Sequence, residues 1–260
     1  MTADRWTQAV RRQLGLGRLL PLGHPRDGAW IAEEAADAYL RRAAAGVPGV
    51  RLGTLRIALA DPDLVHEPVV PPPPSALPPG PLRIVAEFTA GADPTAPGVE
   101  PLPATAARLR VTLAEAAEPL GLTVTEIDLK VTELGDVSAP PTAVRHATPS
   151  PAAVPTAPDE ARAATAALSV PGVLHLTDVL GRPVHIENVP GEDPALARRH
   201  VRVELAVAAT ERTVDVARAV RAAVADALPD TPSVTALVTS VAQEGRPHSP
   251  RPARSRNRRA

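Results

Sequence analysis

Proline governs what this chain can become. Thirty-two of the 260 residues are proline, and they are bunched rather than scattered. Proline fixes φ and has no N–H, so a dense run can be neither helix interior nor central strand. One run lies at 61–81, with Pro71-Pro72-Pro73-Pro74 and Pro78-Pro79. A second lies at 136–158, rich in Pro, Ala and Thr, and reads as a semi-stiff linker. A third, 243–260, mixes Pro with Arg and buries too little apolar surface to offset its ordering entropy. The chain can therefore fold only in the periodic stretches between these runs.

Those stretches alternate in period. Ala29 to Ala45 has apolar positions at helical spacing with acids early, where the helix dipole favours them. Val50 to Ala60 and Leu82 to Thr89 alternate like strands. Leu109, Leu113, Ala116 and Leu120 form one helical stripe, and Leu122 to Leu134 alternates again. The second half repeats the order. Asp159 to Leu168 reads as helix, and Val173 to Asn188 as a strand or a hairpin about Gly181-Arg182-Pro183. His200 to Ala209 reads as strand, Thr213 to Leu228 as helix and Ser233 to Val241 as strand. Val47-Pro48-Gly49-Val50 recurs as Val170-Pro171-Gly172-Val173, each time after the first helix.

The expected fold class is α+β, with two tandem two-layer αββαβ domains on small mixed or antiparallel sheets. The expected layout is an N-terminal segment 1–28 with a short amphipathic helix, and a first domain 29–135 carrying the proline loop 61–81. The linker 136–158, a second domain 159–242 and a disordered basic tail 243–260 follow. With Trp6, Trp30, Tyr39 and Phe88 as the only large aromatics, the cores must be aliphatic.

Charge and composition narrow the function. The chain has no Cys, which excludes disulfides, a thiol nucleophile and Cys-ligated zinc. No apolar run is long enough to span a membrane, and no signal-type apolar core follows Arg5, Arg11, Arg12 and Arg18, so the expected location is cytoplasmic. The net charge of −1 hides an asymmetry: the last 15 residues carry six Arg and no acid. Arg246, Arg251, Arg254, Arg256, Arg258 and Arg259 are candidates for contact with an anionic surface, lipid or nucleic acid. Trp6, Val10 and Leu14 fall at i, i+4 and i+8, a spacing suited to a membrane- or partner-facing helix.

No catalytic, cofactor or metal set emerges. There is no G-x-S-x-G elbow and no phosphate-loop Gly-Lys-Ser/Thr. His175 and His185 would face each other across a hairpin, but a third ligand is needed for a metal. Gly46-Val47-Pro48-Gly49 matches the backbone-clamping G-x-x-G of KH domains in letters only: it leads from a helix to a strand and has no basic residue at its middle positions.

Ile31-Ala32-Glu33-Glu34-Ala35-Ala36 through Val47-Pro48-Gly49-Val50 resembles the opening helix and exit turn of the alkaline shock protein family (envelope stress response). Val201 to Val207, Val214 to Val224 and Val234 to Val241 resemble its strand, helix and closing strand. The chain departs from the family pattern in having two copies, a proline loop in the first and a basic tail. The resemblance implies a non-enzymatic protein without cofactors, with a scaffold or assembly role in cell-envelope homeostasis. It implies protein partners, among them a membrane-anchored one, self-association, and a place at the inner face of the cell membrane. The alternative is a nucleic-acid-associated module that uses the Arg tail. The Arg-, Ala- and Pro-rich composition fits a GC-rich coding sequence, and an actinobacterial source is the expectation.

Overall fold

Residues 19–32 supply two strands to a sheet built mostly from the other end of the chain. The computed structural model describes residues 16–92, 100–135, 137, 149–189 and 198–242. β1 (Leu19–Leu22) and β2 (Ala29–Ala32) are antiparallel partners, joined through a 3-10 turn at Pro25–Asp27. β2 then runs parallel to β9 (Ser233–Ala242), with Trp30 opposite Leu237. Helix α1 (Glu33–Ala44) follows β2 directly.

This corrects the reading of Ala29 to Ala45 as one helix. Ala29-Trp30-Ile31-Ala32 is a short apolar run, which periodicity cannot assign to helix or strand. Gly28, in the left-handed conformation at φ 52°, turns the chain into β2. There β9 takes up the backbone hydrogen bonds that a helical turn would have closed internally.

α1 leads into a three-stranded sheet ordered β3-β4-β5, formed by Val50–Leu59, Leu82–Gly91 and Val124–Gly135. β3 and β4 pair antiparallel, β4 and β5 parallel. A parallel pair needs a crossover, and α2 (Leu102–Leu120) provides it. Leu55, Ile57, Ile84, Ala86 and Phe88 form the buried face. Arg56, Arg83, Val85 and Glu87 alternate onto the other.

The second half begins with α3 (Pro158–Leu168) and β6 (Val173–Leu176). β7 (Val184–Val189) and β8 (Arg198–Ala208) follow, and then α4 (Thr213–Ala227) leads to β9. β6 and β7 both lie antiparallel to β8, one after the other along its edge, and β8 is parallel to β9. The Val173 to Asn188 segment is thus no hairpin. Both sheets are mixed, and each half carries an antiparallel pair followed by a parallel one. The larger sheet has six strands, ordered β1-β2-β9-β8-β6 with β7 beside β8.

The proline run is a loop, and it has a job outside its own half. Leu77 N donates to Leu19 O and Ala76 bridges Leu19, so the run covers the free edge of β1. Trp30 Nε1 donates to Leu77 O at 3.1 Å and Thr235 Oγ1 donates to Pro71 O at 3.0 Å. The loop therefore lies across the face of the six-stranded sheet that carries Trp30 and Thr235. α3 packs against β6 and β7, and α4 against β9. One contiguous buried cluster runs through both halves, from Leu20, Trp30 and Phe88 to Val203, Val220 and Val238. It is aliphatic apart from Trp30 and Phe88, and Trp30 sits in the second sheet.

The repeated Val-Pro-Gly-Val turns share a geometry. Gly49 has φ 72° and Gly172 φ 89°, while Val47 and Val170 are buried. The second glycine of the motif carries the left-handed turn.

Candidate functional site

A gathering of charged side chains lies where the β1–β2 turn meets the end of α2 and the start of α4. A cleft of about 390 Å³ opens there, lined by His24, Glu118, Thr123, Arg212 and Arg218 among others. Its floor is backbone on backbone: Gly23 N donates to Gly121 O at 2.8 Å. Gly121 ends α2 with φ 82°, and a Cβ on it would lie 2.5 Å from the Val214 Cβ. Only glycine lets α4 come this close to α2.

The side chains in this cleft are occupied with each other. Arg218 donates to Asp27 through Nε at 2.9 Å and Nη2 at 2.8 Å, and to Asp215 through Nη1 at 2.7 Å. Asp27 also accepts from His24 N at 2.6 Å. Burial by itself would raise the Asp27 carboxyl, but Arg218 and the His24 N–H outweigh it and hold the group below its ordinary value. The same pair raises the Arg218 guanidinium further, chiefly through the Asp27 hydrogen bond. Arg212 meets Glu118 at 3.1 Å across the mouth.

One turn along α4, Arg221 spends its donors on carbonyls: Nε on Val234 at 2.6 Å, Nη1 on Arg26 and Asp27. Its burial lowers it from the usual arginine value. A second strut of the same kind lies at the start of α1. There Glu33 accepts from Arg18 N and Ile57 N, and Arg18 Nη2 donates to Ile57 O at 2.6 Å. These groups act as a joint: they bind the N-terminal turn to α4 and to β3.

A second cluster is wholly interior. Glu204, on β8, is 0% exposed. Its Oε2 accepts from Leu180 N at 2.9 Å, and its Oε1 lies 3.5 Å from Arg202 Nη2. Thr177 and Thr239 share a 2.7 Å hydrogen bond nearby in the sheet. Burial pushes the Glu204 carboxyl up to about 7, against the pull of the Leu180 N–H and Arg202. Alternation along β8 assigns Glu204 to the polar face; the 177–183 loop folds over that face and encloses it. His200, two turns of the pleat away, is lowered by burial and holds Ser233 Oγ at 2.8 Å through Nδ1.

The residues singled out from the sequence fall elsewhere. Trp6, Val10 and Leu14, and Arg246, Arg251, Arg254, Arg256, Arg258 and Arg259, lie outside the described residues. His175 and His185 do not face each other: His175 pairs with Ala206 and His185 with Arg202, at different points along β8. His175 Nε2 instead lies 3.4 Å from Pro149 O, and His185 Nε2 lies 3.6 Å from Glu187. Among the described residues no group of three or more His, Asp or Glu is arranged to hold a metal ion. Gly46 to Gly49 forms the turn between α1 and β3. Among the described residues no helix is long and apolar enough to cross a membrane.

Asp27, Arg218 and Glu204 were not legible as a site. Asp27 and Arg218 are 191 residues apart, and no local pattern links them. Comparison with known proteins gives no match: no family model, no curated protein and no solved structure is similar to this chain.

Proposed function

We propose that this is a non-enzymatic assembly protein of the alkaline-shock type, working through protein–protein contacts at the cytoplasmic face of the cell envelope. The observation that carries the reading is the use made of charge in the cleft. Arg218, Asp27, Asp215, Arg212 and Glu118 satisfy one another, so the groups that acid–base or anion chemistry would need are spent as struts. A rigid body held by such a joint offers surfaces rather than a reaction centre. The twin Val-Pro-Gly-Val turns, each leading from a helix into a strand, support the family reading.

The test is affinity capture from membrane and soluble fractions, with the full chain beside one ending at Gly245. The reading expects recovery in the envelope fraction with a specific protein partner, whether or not the Arg tail is present. A chain wholly in the soluble fraction and without partners would contradict it. Salt-dependent nucleic-acid capture that disappears with residues 246–260 would favour the nucleic-acid alternative instead.

A further inference from the structure

Among the described residues, the three-stranded sheet has one long edge without a partner strand. β5 is the longest strand described, 12 residues, and β4 lies on one side of it. Among the described residues no strand pairs with the other side. The opposite edge, β3, is interrupted by a bulge between Leu52 and Leu55, a common way to blunt an edge. The edges of the six-stranded sheet are a four-residue strand under the proline loop and the two short strands β6 and β7. β5 is longer than any of these; its register against β4 shifts between Val124 and Glu126 and again between Val131 and Glu133, and Ile127 to Val131 runs unbroken between those points.

We propose that this edge pairs antiparallel with β5 of a second copy about a two-fold axis at Leu129, joining two three-stranded sheets into one of six strands. Arg110 Nε reaches the Ile127 carbonyl at 3.2 Å from outside the ladder. Strand groups alternate in direction, so Ile127, Leu129 and Val131 turn their N–H and C=O outward. An axis at Leu129 sets these three opposite Val131, Leu129 and Ile127 of the second copy, each pair exchanging backbone hydrogen bonds once Arg110 gives up the Ile127 carbonyl.

The side chains agree with that register. Ile127 meets Val131 on the inner face. On the outer face Asp128 of each copy meets Lys130 of the other, and these are 62% and 71% exposed. Exposed Leu134 comes opposite Val124. Neighbouring registers lose this match. An axis at Asp128 or Lys130 sets like charges face to face, and an axis at Ile127 sets Asp128 against Glu126. The sequence of β5 is thus self-complementary about Leu129, which is what an isologous contact requires.

This deepens the assembly reading and rests on it for its biological meaning, but its test is separate. Sedimentation of the full chain at micromolar concentration should show a reversible dimer. Lys130→Glu should weaken dimerisation about tenfold, since it opposes two acids at both symmetric positions. Asp128→Lys combined with Lys130→Glu should restore it, although the pair also breaks the in-chain contacts to Arg83 and Glu87. Circular dichroism of each variant confirms folding.

A chain that stays monomeric, or a dimer indifferent to Lys130→Glu, or a double variant as weak as the single one, would overturn the proposal. A monomer that still fractionates with an envelope partner would overturn this contact and leave the assembly reading standing.

Discussion

Glu204 shows what a single residue can impose on the whole chain. Its carboxyl titrates near 7 when folded and near the ordinary 4.5 when unfolded, because burial penalises the charge. Between those values the folded chain binds the extra proton, so stability falls as pH rises through this window. The full loss, complete above pH 7, is about 3 kcal/mol from the linkage relation. Glu204→Gln keeps an acceptor for Leu180 N and removes the charge. Urea unfolding at pH 5 and pH 8 should show the wild type losing stability relative to this variant as pH rises. His200 works in the opposite sense, since its lowered value costs stability as pH falls below 6.5. The difference between wild type and variant, rather than the raw profile, is therefore the quantity to read.

Asp27 is the other residue with leverage. Asp27→Ala leaves Arg218 with Asp215 alone and frees the His24 N–H. Charge-assisted hydrogen bonds of this kind contribute about 1.5–3 kcal/mol when buried. Because Arg218 is partly exposed, we expect a loss of about 1–2 kcal/mol, read as a lower urea midpoint with an unchanged slope.

At the scale of elements, the helices and long strands were legible and the contacts between halves were not. Leu109, Leu113 and Leu120 announce α2, and Val216, Val220 and Val224 announce α4, because burial on one face leaves a 3.6-residue signature. β4 and β8 show the period of two. Ala29 to Ala32 shows neither, and its partner lies some two hundred residues away, so β2 read as the start of α1. The proline loop was recognised as a loop, but proline content says nothing about which surface the loop will cover. Glu204 was hidden for the same reason, as its strand alternates correctly and only the covering 177–183 segment makes it interior.

Two substitutions test these joints. Gly121→Ala places a methyl group against Val214 at a positive φ, and should cost about 2–4 kcal/mol by chemical denaturation. Trp30→Phe removes the donor to Leu77 and should cost about 1 kcal/mol. The second loss should appear as faster protease cleavage within 61–81, with the other loops unaffected.

At the scale of the molecule, the N-terminal turn is the part that binds the rest. Residues 19–32 extend the sheet of the second half, anchor the proline loop of the first, and hold α4 through Asp27 and Arg221. Periodicity and proline content lead to the expectation of two tandem domains, 29–135 and 159–242, with a linker at 136–158. The described residues share one buried cluster, within which the first half from α1 runs αββαβ and the second αβββαβ. Assembly through β5 would then act on a single rigid body, with the binding edge far along the chain from the turn that holds the halves together.

The most direct measurement is differential scanning calorimetry of the full chain. If the N-terminal turn makes the halves interdependent, heat absorption will follow one transition whose calorimetric and van't Hoff enthalpies agree. Two separable transitions, one surviving the loss of the other, would contradict that account.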